Sequence, residues 1–428
     1  VRKPFLPLLA AGLTLAACAA NAAPQAGTPP GPHPTFGPNG SSAASPSASP
    51  TAADGEKIPG PRIVLATPTG IDTRDSQSGQ MLSFIRRPLI SALSDGGDGS
   101  SVIYTETDQF GVFDSGLYLR FDVNGAHYNT DTPLLTKHFY PAPRAGQVTT
   151  NLGVLTLFAD GTGQAFARPV GSYLNPDAAF PPLQAQSPHA GFAVWVGGDF
   201  LLTQGDRSGA TGVQVIRDGQ PVGELVDCPQ AQAGAPGAGT DHGHVYVVGC
   251  QGAFLMYREG ELHRVPLPGP AAVARLTDLA GSYNSPWVLA RVEGDTTPST
   301  QIALIDTRDD SIKLLEVSSP IGAESLARGP GHEGLALTAD GQLLIIDPER
   351  AATVDQVPVF SAPAGGREPA APLLQAYGEQ AFLLSPARDE VVVLDIASRQ
   401  IKTRIADLDE IIDMEVVDTL GDMQPVPA

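Results

Sequence analysis

The chain is short of cations, cysteines, tryptophans and long apolar runs, and each shortage removes a class of function. Lys and Arg number 26 against 46 Asp and Glu among 428 residues, for a formal net charge of −20. Nucleic-acid binding needs clustered cations that displace counterions from phosphates, so nucleic acid is not an expected partner. An acidic balance of this kind fits an extracytoplasmic protein and attracts cations only weakly, without a specific site. Beyond the N-terminus no apolar run is long enough to cross a bilayer. Trp195 and Trp287 are the only tryptophans, too few for the tryptophan-docked blades of quinone-dependent dehydrogenase propellers. No G-x-S-x-G, H-E-x-x-H, Walker loop or strand-to-helix G-x-G-x-x-G occurs. Paired acids such as Asp309-Asp310 fall in turn-like contexts, where Asp serves turn geometry. The chain therefore does not read as an enzyme. A lactonase-like propeller hydrolase would also need several acidic or amide ligands near the ring axis, and no repeat-phased set of them stands out.

What is abundant is glycine, 47 residues, and proline, 40, as expected of a chain with many tight turns. The turns recur in a pattern. IALIDTRDDSIKLLEV from Ile302, QLLIIDPERAATVDQVPV from Gln342 and EVVVLDIASRQIKTRI from Glu390 each place an apolar run ending in Asp (Asp306, Asp347, Asp395) before a polar turn and a second run. That is a β-hairpin signature. Similar hairpins read at Arg62 (turn at Asp72 or Asp75), Phe110 (Asp114), Leu157, Gly212 (Asp218-Gly219) and Ala253 (Glu259-Gly260). Their spacing is that of propeller blades, about 40–50 residues each. No sustained 3.6-residue apolar stripe is present, so few helices are expected. The predicted fold is all-β: a single β-propeller of eight blades, with seven blades and one irregular hairpin as the alternative. The strand near Met414–Val417 is expected to pair with the first repeat and close the ring, hiding both sheet edges.

The ends read differently. Arg2 and Lys3, an apolar core from Phe5 to Ala17 and the lipobox-like Leu15-Ala16-Ala17-Cys18 read as a lipoprotein signal peptide over 1–17. An ordinary signal peptide with an incidental cysteine is the plainer alternative. Residues 18–61, rich in Pro, Ala and Ser, cannot bury enough surface to order themselves and read as a tether. It would be held to the cell membrane by lipid on Cys18. The propeller is assigned 62–419 and a tail 420–428.

Cys228 and Cys250 remain, an even pair in an exported chain, which favours a structural disulfide; no C-x-x-C is present. Cys228 ends one hairpin and Cys250 follows the next strand, so the bridge would join adjacent blades. The Gly/Ala/Pro-rich stretch from Ala231 to Gly239 reads as a loop left flexible without it. Among the histidines, His242 and His244 flank Gly243 at the start of a strand, where residues two apart share a face. Neutral imidazole is a common zinc ligand, so both would reach one ion. A polar loop entering a strand explains the same residues without metal.

The order of motifs resembles the AztD-type zinc metallochaperones. It rests on LFADGTG at Leu157, PHAGFAV at Pro188, LLTQGDRSGATGVQVI at Leu201, the Cys228/Cys250 pair, ALIDTRDD at Ala303, SLARGPGHEGLAL at Ser325 and LIIDP at Leu344. The resemblance implies an extracytoplasmic propeller that binds Zn²⁺ and passes it to the solute-binding protein of a zinc ABC transporter. It carries His127 and His189 into the metal site. The chain departs from the pattern at Gly125 and Gln147, where the family has histidine, so His138, Asp131, His242 or His244 would have to complete the ligand set. The alternative from a different class is a metal-free propeller serving as an interaction platform at the cell envelope.

Overall fold

The structure, a computed structural model, describes residues 58–418 apart from 123–124, 173–178, 241–242, 295–298 and 362–370. The signal peptide, Cys18, nearly all of the tether, the tail 420–428 and His242 lie outside the described residues.

Eight four-stranded antiparallel sheets succeed one another along the chain, an eight-bladed β-propeller. The eight-blade expectation holds, and the seven-blade alternative is set aside. We number the blades by their order around the ring. Blade 1 is completed by the far end of the chain: Asp413–Val417 is its inner strand, paired antiparallel with Arg62–Thr67 from Arg62↔Val417 to Ala66↔Asp413. Gly70–Asp75 and Met81–Arg86 follow outward. The remaining inner strands are Ala92–Asp95, Ala145–Asn151, Ala193–Val196, Gly234–Thr240, Arg275–Ser282, Ile321–Arg328 and Leu373–Tyr377, for blades 2 to 8. Among the described residues the one helical element is a 3₁₀ turn, Gly269–Val273.

The seams between blades form the core. Buried apolar clusters occupy all eight seams. Successive residues of a strand point to opposite faces, so each second and third strand feeds two seams. Ile63 and Leu65 pack with Leu373 and Phe382 of blade 8, while Val64 and Ala66 pack with Val102 and Phe113 of blade 2. A strand buried on both faces needs no polar alternation. That is why the sequence shows continuous runs such as LLII and VVVL.

Turn chemistry sets the hairpins at the rim. Asp218-Gly219 (φ 52° and 74°) and Glu259-Gly260 (φ 54° and 85°) have positive φ at both central residues, the geometry that matches strand twist in two-residue turns. Asp306, Asp347 and Asp395 instead accept main-chain N–H groups from Arg308, Glu349 and Ser398 at 2.8–3.0 Å. These acids are turn-formers, as read from the sequence. In blade 1 Asp75 opens the turn, whereas Asp72 lies inside a strand bonded to Arg74.

Two expectations change. The second strand of the hairpin read around Asp114, Leu117–Asp122, does not pair with Gln109–Asp114. It pairs with Gly125–Thr130 as a separate two-stranded hairpin, and Leu134–Pro141 becomes the outer strand of blade 2. The Arg62 guanidinium clamps the base of this insertion through the carbonyls of Ser115 and Asp131, the latter at 2.9 Å. A local pattern of run, turn and run cannot reveal which edge a strand joins. Likewise, most of the stretch read as a loop between the cysteines is the inner strand Gly234–Thr240. Its glycines sit in crowded places: a Cβ on Gly234 would lie 2.8 Å from the Val247 carbonyl oxygen, and one on Gly237 2.7 Å from the Thr307 Cγ2.

Candidate functional site: the channel and its two ends

The inner strands enclose a channel. A cavity of about 380 Å³ is walled by Leu93, Asp95, Thr150, Asp278, Glu324, Gln375, Asp413 and Glu415 among others. Asp278 and Glu324 sit at bulges in their strands and adopt positive φ, 52° and 56°. Such a conformation is unusual for residues bearing a Cβ, and here it accompanies a carboxylate in the cavity wall. Burial pushes the carboxyls of Asp278 and Asp413 up to about 7, and that of Glu324 upward as well. The sequence reading found no phased acids at the axis; the structure corrects it. The signal was present but faint. Asp278 and Glu324 are each the fourth residue of an inner strand and lie 46 residues apart, one blade period.

In a four-stranded up-and-down blade, the turns joining strands one to two and three to four lie at one end of the ring. The turns joining strands two to three, and the links between blades, lie at the other. Six-residue strands separate the two ends by roughly 20 Å. His244 opens the second strand of blade 5, Gly243–Gly249, at the first end. Its ring stands edge-on to Tyr283 at 6.2 Å. Gly197 makes room for it, since a Cβ there would lie 1.9 Å from its Cδ2. Burial lowers the His244 pKa and keeps the imidazole neutral, the form that binds metal. Tyr283 donates to Asn151 Oδ1 across the ring at 2.6 Å. Beside His244 opens a cleft of about 560 Å³. Its wall holds buried Asp199, which accepts two bonds from Arg217 at 2.6–2.7 Å and one from the Tyr257 hydroxyl at 2.7 Å.

His127 lies at this same end, on the inserted hairpin of blade 2, opposite Arg120 in the register. Asp131, exposed, follows that hairpin; its main-chain N–H donates to the Gly116 carbonyl at 2.7 Å. His138 stands within the outer strand of blade 2, where its main-chain N–H donates to Thr136 Oγ1 at 3.1 Å.

His189 is at the opposite end, in the link between blades 3 and 4, and is 2 % exposed. Its Nδ1 lies 2.9 Å from the Ser187 carbonyl oxygen and its Nε2 3.0 Å from Thr203 Oγ1. Nδ1 therefore donates to the carbonyl, and Nε2 faces the threonine hydroxyl, which also bonds the main chain of Phe192 at 2.9–3.0 Å. Phe158 packs against the ring with centroids 5.3 Å apart. Both nitrogens are occupied, so a metal would have to displace Thr203. The structure thus places His127 and His189 at different ends of the ring. Among the described residues, no group of three or more His, Cys, Asp or Glu stands ready to hold a metal ion.

The cysteines form the expected bond. Cys228 and Cys250, with Cα atoms 5.0 Å apart, join the end of blade 4 to the second strand of blade 5 within their shared buried cluster.

No protein-family model and no curated protein sequence matches the chain. Among solved structures it is similar to apo AztD from Citrobacter koseri, with a TM-score of 0.69 at 17% identity, covering 84% of this chain and 98% of that one. A second crystal structure of Citrobacter koseri AztD gives the same figures. The dihydro-heme d1 dehydrogenase NirN in complex with DHE has a TM-score of 0.52 at 12% identity, covering 86% of this chain and 77% of that one. At these identities the likeness establishes a shared propeller fold.

Proposed function

We propose that the protein is a zinc-binding metallochaperone of the cell envelope that delivers Zn²⁺ to the solute-binding protein of a zinc ABC transporter. The observation that carries this reading is His244: a half-buried, neutral imidazole at one mouth of a propeller whose fold matches AztD over nearly that protein's whole length. Zn²⁺ is cargo here. His242, which lies outside the described residues, and His244 would present it from the strand opening of blade 5. His127 and Asp131 lie at the same end of the ring and are the further donors we assign. His138 remains available only if the outer strand of blade 2 rearranges, and His189 acts in the scaffold.

Release would follow from chemistry common to imidazole sites. Protonation of histidine competes with the metal as pH falls, and a partner with more donors draws the ion by ligand exchange. The disulfide supports an oxidising, extracytoplasmic location. No helix among the described residues is long and apolar enough to cross a membrane. We assign membrane attachment to lipid on Cys18, with residues 18–61 giving the propeller reach toward a membrane-bound partner.

The test is transfer. The zinc-loaded protein is mixed with the metal-free solute-binding protein, and metal on each is measured after separation. Movement of zinc to the partner, lost in His244→Ala, supports the reading. If the protein takes up no zinc above the weak background of an acidic surface, the metal-free interaction platform stands in its place.

A further inference from the structure

Asn151 ends the inner strand of blade 3, is buried, and has side-chain partners in two other blades. Its Nδ2 donates to the main-chain carbonyl of Trp195 in blade 4 at 2.8 Å. A carbonyl only accepts, so the orientation of the amide is fixed. Oδ1 is then left to take the Tyr283 hydroxyl of blade 6 at 2.6 Å. Burial raises the pKa of that hydroxyl and keeps it a donor.

His244 stands in blade 5, and its neighbours in blades 4 and 6 are the groups that Asn151 holds. On the blade 4 side is the main chain two residues beyond Trp195. A Cβ on Gly197 would lie 1.9 Å from the imidazole Cδ2 and 2.7 Å from its Nε2. On the blade 6 side is the Tyr283 ring, at 80° to the imidazole with centroids 6.2 Å apart. One amide thus ties both walls of the slot that the imidazole occupies.

Joining blade 3 to blade 4 does not need the second contact. Thr149, two residues earlier and on the same face of the strand, makes the same kind of rung. Its Oγ1 donates to the Ala193 carbonyl at 2.6 Å. A rung between adjacent blades accounts for Nδ2 of Asn151. It does not account for a tyrosine that reaches past blades 4 and 5 to the same amide.

We propose that Asn151 and Tyr283 are positioning residues, a brace that fixes the imidazole of His244 for metal capture at this mouth. The proposal rests on the reading of His244 as a zinc-presenting residue. A ligand already held in place binds metal without first being ordered. Tyr283 forms one wall, the bare main chain at Gly197 forms the other, and Asn151 keeps the two at a fixed separation.

The experiment uses the full chain, first free of metal and then titrated with zinc. Ring Cε1–H signals of labelled histidines are recorded by NMR, and His244 is assigned by the signal that His244→Ala removes. Tyr283→Phe keeps the ring and removes only the hydroxyl, whereas Asn151→Ala removes both contacts. Each should broaden or split the His244 signal and leave that of His138 unchanged. Calorimetric titration below the unfolding midpoint of each protein should show zinc affinity about tenfold lower than in the parent. The double variant should lose no more than Asn151→Ala alone, because the two side chains act as one unit. Tyr283→Phe carries the test if Asn151→Ala does not fold.

A rung that only joins blades would lower the unfolding midpoint and leave both the His244 signal and the zinc affinity at parent values. That result overturns the proposal, as do losses that add in full in the double variant. If the parent binds no zinc, the metallochaperone reading fails. The brace is then decided by the metal-free signal alone: broadening in the variants supports it, and an unchanged signal overturns it.

Discussion

The seams and the channel are built from neighbouring residues of the same strands, yet they obey opposite rules. In a seam the buried clusters are dominated by apolar side chains and supported by two blades. In the channel the inner strands turn carboxylates inward, break their register at Asp278 and Glu324, and hold ionisable groups away from bulk water. The apolar core lies in one region and the ionisable groups in the other.

Substitution should separate the two. The largest effect is expected in a seam. Leu304→Ala removes a side chain buried between blades 6 and 7 and should cost about 2–5 kcal/mol in denaturant unfolding. Breaking the Cys228–Cys250 bridge, which spans 22 residues, should cost about 3 kcal/mol by releasing the unfolded chain, read as a lower midpoint under reductant. His189→Ala removes the imidazole partner of the Ser187 carbonyl and should cost about 1–3 kcal/mol, while leaving zinc uptake intact. If His189→Ala instead abolished zinc uptake without loss of stability, the division of labour between the two ends would be wrong. The smallest expected effect on stability is at the mouth. His244→Ala should change it by no more than about 0.5 kcal/mol and yet remove metal binding.

The rim of the ring was legible in the sequence, and the axis was not. At the rim, turn type follows from two adjacent residues: Asp218-Gly219 and Glu259-Gly260 announce their hairpins, and Asp306, Asp347 and Asp395 announce theirs. The closing strand was legible because the apolar run ending at Val417 had no other partner. Inner strands are set by distant contacts. Gly234–Thr240 has almost no strand-forming side chains and is a strand through its pairing with Gly243–Gly249, in a place where Val247 and Thr307 leave its glycines little room. The insertion in blade 2 was misread because Leu117–Asp122 looks like any outer strand until its partner is known. His189 shows the limit of a residue type as a signal: the same imidazole suits a metal or a hydrogen-bonded core, and Ser187 and Thr203 decide between them.

The central claim is that the end of the ring bearing His244 handles metal and the end bearing His189 does not. Calorimetric zinc titration of the parent, His244→Ala and His189→Ala tests it most directly. The account predicts near-stoichiometric binding in the parent and in His189→Ala, and none in His244→Ala. Equal binding in the parent and His244→Ala, or no binding in the parent, would contradict it.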